Sequence, residues 1–586
     1  MSKDNKKKYP NIKDDDFNER INKKYKKYTI PNKKRTMKQI CFPQEYELQM
    51  PQKFLAQYIN PDTPYKGILI FHRIGAGKTC TAVNIAEQWK YERKIVVVVP
   101  AALIGNFRDE LRSPCAKNNY ITQIERNKLK TLHPSSNDYK QIIKKSDERI
   151  DEYYHIYSYN KFVELAESGK MKLNNSILII DEVQNMISEY GTYYHTLYKT
   201  IHSAPVSLRI VALSATPMFD KPIEIALTMN ILRIPFQFPL GSEFEKMFIE
   251  KKLNGRTGKV MLKAKNLDEF KERIKGYISY YGGASSVAFP ESTVKYIRCE
   301  MTDFQYRSYF AVQKTEEQKY KTIKRRKLQK MKKGEIISLP NNFYIGTRII
   351  SNVSFPNRCV KEKGFISFKG PCLDMDNLEK YSTKFYQIMK RINRATGPVF
   401  VYSNFKEYGG IRSFSKVLEY QGYKNYNNYG EGRKRFAIWS GDESMHAREE
   451  IKQVFNLQEN YNGSKLRVLL ITPSGKEGLS LYNVNQIHIL EPYWNQSRLR
   501  QIIGRGIRYC SHKNLPEDKR FVKVFIYLAT HPDVKESIDE YIMNLAKQKN
   551  RLIEEFEKAM KEAAIDCHLF KYGNKMAGDK NIVCEK

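Results

Sequence analysis

No stretch of this 586-residue chain approaches the run of about 18 apolar residues that a bilayer-crossing helix needs, so a membrane span is not expected. The N-terminus is lysine-rich and lacks the apolar core of a secretory signal, so export is not expected either. Cysteine is sparse: nine residues, with no Cys-x-x-Cys pair. That spacing offers no zinc site and fits a reducing compartment with buried or inert thiols. No internal repeat of the solenoid kind is present. Acidic residues are the most telling shortage. Asp and Glu number 64 against 101 Lys and Arg, a net charge of +37. Such an excess points to a polyanionic partner, nucleic acid first, through phosphate neutralisation and counterion release. The abundance of Lys, Asn, Tyr and Ile has a second reading, an AT-rich genome that spreads lysine over a solvated surface.

What the chain does have begins with Gly67-Ile-Leu-Ile-Phe-His-Arg-Ile-Gly-Ala-Gly-Lys-Thr79. It reads as a buried strand running into a phosphate-binding loop. Gly75 and Gly77 can take backbone angles that other residues avoid. The backbone from Gly75 through Ala76, Gly77, Lys78, Thr79 and Cys80 can then curl its amide hydrogens around an anion. Lys78 would meet the β- and γ-phosphates, and the Thr79 hydroxyl would be a magnesium ligand. The bland alternative is a glycine turn between a strand and a helix. The apolar strand before the loop and the helix expected over Thr81–Trp89 favour the phosphate loop. One feature departs from the pattern: His72 stands where the motif has a further glycine, with Arg73 and Ile74 after it.

Two regions alternate apolar strands with helix-compatible segments, the mark of parallel sheets with crossover helices. The first has Ile68–Phe71, Ile95–Val99, Ile177–Ile180 and Arg209–Leu213. The second has Val399–Tyr402, Arg435–Trp439, Val468–Ile471, Gln486–Leu490 and Lys523–Leu528. The expected division is a basic, flexible arm over 1–40, an α/β lobe over 41–240 and a helical, basic insertion and linker over 241–380. A second α/β lobe over 381–532 and a helical extension over 533–586 follow. The basic run 314–333, with Lys324-Arg-Arg-Lys327, reads either as a solvated helix or as a nucleic-acid contact. Apolar residues at helical spacing from Ile538 to Met560 read as a packing stripe on a long helix over Ser537–Ala564.

The strand at Ile177 ends in Asp181-Glu-Val-Gln184. Carboxylates there would lie beside the phosphate loop, with Asp181 holding magnesium and Glu182 orienting and deprotonating the attacking water. An acidic cap on a strand-to-helix turn is the alternative. Ser214-Ala-Thr216-Pro217 would either bridge the acids to a bound polynucleotide or form a capped turn. In Gln501-Ile-Ile-Gly-Arg505-Gly-Ile-Arg508, two arginines three apart on a helix would share one face and could hold a phosphoryl group. Gly504 would permit the close approach; an ordinary basic helix surface is the alternative.

Phosphate loop, DEVQ, SATP, Thr472–Leu481 and QIIGRGIR occur in the order of superfamily 2 helicases, which the chain resembles. Leu490-Glu-Pro-Tyr-Trp-Asn495, Ser214–Met218, Glu224 and Asn230–Leu232 are similar to the Snf2-type translocase branch. Ser351–Pro356, Val401–Phe405, Cys510-Ser-His512 and Ala564–Cys567 resemble the helicase-like ATPases of large cytoplasmic DNA viruses. Two families there share these features, nucleoside triphosphatase I and the early transcription factor small subunit. The resemblance implies an α/β fold of two RecA-like lobes with ATP and Mg2+ at their cleft. It carries catalytic roles onto Lys78, Asp181, Glu182, Arg505 and Arg508, and adenine contact onto Gln52. It places Gly475, Gly478 and Ser480 at a motif lining the cleft between the lobes, with Gly475 and Gly478 among the nucleotide-binding residues. It further implies a nucleic-acid-dependent ATPase acting on DNA rather than RNA in viral transcription, in elongation and termination or at early promoters. The expected partners are the viral RNA polymerase or a transcription-factor subunit, with no membrane, in the host cytoplasm (viral factory) and the virion. A duplex-unwinding DNA or RNA helicase is the competing function; a basic scaffold with a decayed ATPase is a third, which the intact acidic pair and arginines oppose.

Overall fold

A computed structural model describes residues 9–132, 136–188, 191–253, 260–332, 342–473 and 479–585. The chain forms two compact units. Unit 1 comprises Met1–Lys252, Leu262–Ser286 and Leu552–Lys586; unit 2 comprises Leu253–Met261 and Val287–Arg551.

Unit 1 is built on β1 (Gly67–His72), β2 (Lys94–Val99), β3 (Tyr154–Ser158), β4 (Ser176–Ile180) and β5 (Arg209–Ser214). Strands β6 (Ile249–Leu253) and β7 (Val260–Ala264) form a small sheet of their own, and β8 (Ile278–Tyr281) returns to the main one. The six main strands are all parallel, in the order β3-β2-β4-β5-β1-β8. Strands β1, β4 and β5 are buried along their whole length. A parallel strand covered on both faces is apolar at most positions, which is why these segments read as continuous aliphatic runs. Because β5 lies between β1 and β4, the ends of β1 and β4 stand roughly 10 Å apart, two strand spacings. That gap suits a phosphate chain.

The N-terminal residues depart from the expected flexible arm. The helix Phe17–Lys24 buries Phe17 and Ile21, and Tyr25 joins the same core. These three lie four residues apart, so they form one apolar stripe on a helix that is otherwise charged. The expected linker over 241–380 is also divided: β8 completes the sheet of unit 1, whereas the chain from Val287 belongs to unit 2. The long C-terminal helix spans Ile538–Glu562, and beyond it Ile565, Leu569 and Phe570 enter the core of unit 1.

Unit 2 carries β9 (Glu291–Glu300), β10 (Val399–Tyr402), β11 (Lys424–Asn425), β12 (Arg435–Trp439), β13 (Val468–Ile471), β14 (Gln486–Ile489) and β15 (Phe521–Thr530). They are parallel, in the order β11-β12-β13-β10-β14-β15-β9. The basic cluster Lys324–Lys327 falls in the helix Asp303–Lys332, and its side chains lie outside the described residues.

Several motifs that singled out the family in sequence meet here in one buried polar network. Lys384 Nζ pairs with Asp539 Oδ2 at 2.6 Å and donates to Asn352 Oδ1 at 2.8 Å. Asn352 Nδ2 donates to Glu491 Oε2 at 2.9 Å, and Glu491 also accepts from the Ser403 hydroxyl and the Asn404 amide. Burial pushes the Glu491 carboxyl upward, with Lys384 opposing the shift. Losing one partner of a buried pair leaves a charge without water or counterion, at a cost of about 3–5 kcal/mol. Lys384→Met should therefore lower the Tm of unit 2 by roughly 10 °C. Differential scanning calorimetry reads this, and an unchanged Tm would remove the network from the account of stability.

The thiols differ from expectation. Cys80–Cys115 and Cys567–Cys584 are disulfides, while Cys299, Cys359 and Cys372 are free. The first joins partners 35 residues apart: the turn Pro114–Ala116 packs against the helix Lys78–Glu87. Folding, not sequence spacing, brings these sulfurs together.

Candidate nucleotide site

The phosphate loop sits between the end of β1 and the helix Lys78–Glu87. Gly75 and Gly77 have φ of 80° and 75°, the left-handed region that glycine enters at no steric cost. Gly77 caps the helix, so the first amides of Lys78, Thr79 and Cys80 are the unpaired donors that bind anions at a helix start. A side chain at Gly77 would also collide with Gln52, whose Nε2 would lie 2.7 Å from an added Cβ. Gln52 is buried in the helix Met50–Tyr58. Its Oε1 accepts from the Gln49 amide at 2.8 Å and its Nε2 reaches the Gly77 carbonyl at 3.4 Å. The glutamine expected to meet adenine is thus fixed against the loop, with a second Nε2 hydrogen to offer a base edge. The Cys80 side chain is tied up in its disulfide, which leaves the backbone amide as its contribution. Ala76 is buried in the same loop.

At the end of β4, Asp181 is buried and Glu182 follows with φ of 50°. This left-handed turn is strained for a non-glycine residue and aims two successive carboxylates into one corner. Several bonds hold it. The Glu182 amide donates to Asp181 Oδ1 at 2.9 Å. The Tyr159 hydroxyl donates to the carbonyls of Asp181 and Glu182 at 2.6 and 3.0 Å. Gln184 Nε2 donates to Glu182 Oε2, and Gln184 Oε1 accepts from Ser214 Oγ at 2.7 Å. Serine, glutamine and glutamate therefore form a chain from the end of β5 to the acidic pair. Sequence reasoning missed Tyr159 and Gln184 as parts of this site, because only the fold shows which carbonyl or carboxylate each one meets. Glu224, noted in sequence as a family feature, caps the loop after Ser214 instead: its carboxylate accepts from the amides of Phe219 and Asp220.

Burial pushes Asp181 up to about 7, the neighbouring Glu182 adds to the rise, and Lys78 opposes it. Two carboxylates against one lysine make a corner short of positive charge. Its oxygen donors, with the Thr79 hydroxyl nearby in sequence, fit a hard divalent cation such as Mg2+.

The residues that depart from the phosphate-loop pattern have partners of their own. His72 is buried, and its Nε2 lies 2.8 Å from Ser279 Oγ. Ser279 in turn donates to Asp566 Oδ2, so the three side chains form one buried chain. Burial lowers His72 to about 3 and raises Asp566 to about 7. Arg73 Nη1 donates to the Ala577 carbonyl at 2.9 Å and Nη2 to Asp579 Oδ1 at 2.8 Å. These partners lie some 504 and 506 residues away in sequence, which no spacing argument could reach.

In unit 2 the helix expected to carry both arginines ends early, at Ile503. Arg505 and Arg508 therefore lie in the turn that follows rather than on one helical face. Gly506 in that turn packs closely on the sheet: an added Cβ would stand 2.9 Å from Phe400 and 3.1 Å from Ile487. The two side chains still converge on one segment. Arg505 Nη1 reaches the Leu479 carbonyl at 3.4 Å, and Arg508 Nη1 donates to Ser480 Oγ. Gly475 and Gly478 lie outside the described residues. Ser511 and His512 are buried, with His512 bonded to Ser511 and to the Val484 carbonyl, a packing role.

Pro100, Ser158 to Asn160 and Ser214 stand at the carboxyl ends of β2, β3 and β5 in unit 1, and Thr472 follows β13 in unit 2. In open parallel sheets, ligands bind outside this edge.

Comparison with known proteins places three family models end to end on the chain. The SNF2-related domain matches residues 20–360, the helicase conserved C-terminal domain 382–510, and the nucleoside triphosphatase I C-terminal domain 512–581. A protein of Acanthamoeba polyphaga mimivirus, named as a candidate ATP-dependent RNA helicase, is 54% identical over 578 residues, 99% of both chains. A second mimivirus protein with the same designation is 26% identical, covering 95% of this chain and 78% of its own. A termination factor NPH-I homolog of African swine fever virus (Warthog isolate) is 26% identical over 86% of this chain and 76% of its own.

Proposed function

The chain belongs to the SNF2-related family of ATP-dependent helicase-like proteins, and on that premise we propose that it is a DNA translocase of viral transcription. As a nucleic-acid-dependent ATPase it couples hydrolysis to movement along a strand. The observation that carries this reading is the meeting of Lys78, Asp181, Glu182 and Ser214 along the carboxyl edge of β1, β4 and β5.

Each residue has a distinct task. The loop amides and Lys78 hold the phosphate chain, and Gln52 offers its amide to the base. Thr79 and Asp181 would hold Mg2+, which when bound neutralises charge on the phosphates. Glu182 orients a water and takes its proton. Arg505 and Arg508 are assigned the charge that spreads over the transferred phosphoryl group. The link Ser214–Gln184–Glu182 gives the loop at the end of β5, which would touch nucleic-acid backbone, a direct hold on the catalytic base. Occupancy of the nucleic-acid track would therefore be felt at the acid pair. Backbone contacts of this kind are indifferent to base sequence.

The termination-factor relative and the C-terminal match support a role in transcription; the proposal places the protein beside the viral RNA polymerase or a transcription-factor subunit, in the cytoplasmic viral factory and the virion. The designation of the 54% identical relative favours a second reading, an RNA helicase. ATPase rates with single-stranded DNA, duplex DNA and RNA, run beside a strand-displacement assay, separate the two. We expect DNA to stimulate hydrolysis more than RNA does, with no strand released. RNA-dependent hydrolysis with duplex unwinding would replace the translocase by the helicase.

A further inference from the structure

We propose that Arg73 is a positioning residue for ATP, and that the C-terminal segment sets the phosphate loop's affinity for nucleotide through Asp579. The inference rests on the ATPase reading above and adds a point of control to that site.

The backbone of Arg73 closes the first turn of the phosphate loop. Its carbonyl accepts from the Ala76 amide at 3.1 Å, and its own amide donates to Tyr281 at 3.1 Å, at the end of β8. Whatever fixes Arg73 therefore fixes Ala76, and with it the placement of Gly75 and Gly77. The guanidinium is held as a fork, by the Ala577 carbonyl and by Asp579. Two donor contacts from one planar group define direction as well as distance. Asp579 is in turn gripped by the Tyr280 hydroxyl on its other oxygen and by Lys561 at 3.4 Å.

The segment has further contacts with the same turn. Asn574 Oδ1 accepts from the Gly282 amide at 2.7 Å, and the next residue, Gly283, lies over Ala76, where an added Cβ would stand 3.5 Å from the alanine methyl. Asp566 holds the Tyr280 amide at 2.9 Å and, through Ser279, His72. The Cys567–Cys584 disulfide closes the segment on itself, and Lys271 ties its end to the helix Leu267–Ile274 through Glu585 at 2.7 Å. The C-terminal segment thus grips the two residues, His72 and Arg73, at which the loop departs from the family pattern. With Asp579 engaged, the positive charge of Arg73 is directed to the segment and the turn keeps one shape. With Asp579 absent, the turn loses its anchor and nucleotide must order it on binding, which weakens affinity.

The coupling is reciprocal: nucleotide must stabilise the segment by as much as the segment stabilises the nucleotide complex. A macromolecule that grips residues 565–585 would raise or lower ATP affinity without touching the site.

The test uses the full chain and three variants: Arg73→Ala, Asp579→Ala and the double substitution. We expect each single change to raise the KM for ATP about fivefold, the scale of a well-formed ion pair. We expect kcat to fall by less than about twofold, since the catalytic groups are untouched. The double variant should match either single one, because both remove the same contact. Hydrogen exchange across 565–585 should slow when ATP is added to wild type and not to Asp579→Ala. A rise in KM for Arg73→Ala alone would make Arg73 a direct phosphate contact and overturn the proposal. So would additive effects, or a lower Tm with KM unchanged. If Asp579→Ala fails to fold, Asp579→Leu, which likewise has no oxygen to accept from Arg73, replaces it, and an unchanged KM in that folded variant is equally fatal. Wild-type protein that binds ATP without hydrolysing it would sink the ATPase reading, while the KM argument would be judged by the same series read as Kd.

Discussion

Replacing Lys78 by alanine should lower ATP turnover by roughly a hundred- to a thousandfold, the usual loss when one preorganised donor to developing charge is removed. Lys78 is the first residue of its helix, where alanine is an excellent former, so the fold should survive with Tm unchanged. The loss would be electrostatic. Burial and Glu182 raise Asp181, and Lys78 is the cation that opposes them. Without it, two acids face a phosphate chain with the cation that opposes them removed, and both binding and hydrolysis should fail. Weak nucleic-acid binding should persist, because backbone contacts spread over a chain of charge +37 do not depend on one lysine. Steady-state ATPase measurements with and without DNA, alongside a filter-binding assay, check this. Full turnover would remove the phosphate-loop role from Gly75–Thr79.

The strands that were legible in the sequence and those that were not divide along one line. All nine strands expected from aliphatic runs lie inside the two main sheets, with a strand on either side. The four that gave no such signal are the edges: β3 and β8 in unit 1, β9 and β11 in unit 2. An interior parallel strand is covered on both faces and is apolar at most positions. An edge strand has less to bury. β9 is exposed over most of its length and carries Glu291, Lys295 and Arg298, while β3 and β8 are rich in tyrosine. β8 is nevertheless fully buried, because the C-terminal segment, with Ile565 bonded to Ile278, covers it.

The same distinction runs through the site. Loop glycines, lysine and the acid pair are local patterns with a strand before them, so spacing alone placed them. The arginine pair was found, but its helix was extended through a glycine that ends it, at Gly504. Phe17, Ile21 and Tyr25 stood in the sequence at helical spacing and were hidden by the charge around them. The partners of His72 and Arg73 had no signal at all, because their coupling depends on a chain end returning to the sheet.

Glu182→Gln is the sharper of the two substitutions at this site, because it changes one proton acceptor and almost no shape. The Glu182 backbone would stay in its left-handed turn, held by Tyr159 at two carbonyls. Gln184 takes Oε2 of Glu182, which leaves Oε1 to accept from an attacking water. An amide oxygen can still accept a hydrogen bond from that water but cannot take its proton. Hydrolysis should fall by roughly 10²- to 10⁴-fold, the range for loss of a general base, while ATP binding stays near wild type. Such a protein should accumulate with ATP bound, and single-turnover mixing should show a lost chemical step rather than slow release. If Glu182 were only an acidic cap on the turn after β4, glutamine would serve there almost as well and turnover would be normal. The variant thus separates the two meanings of an acid at a strand end, and does so without disturbing Lys78, Asp181 or the bond from Ser214 to Gln184.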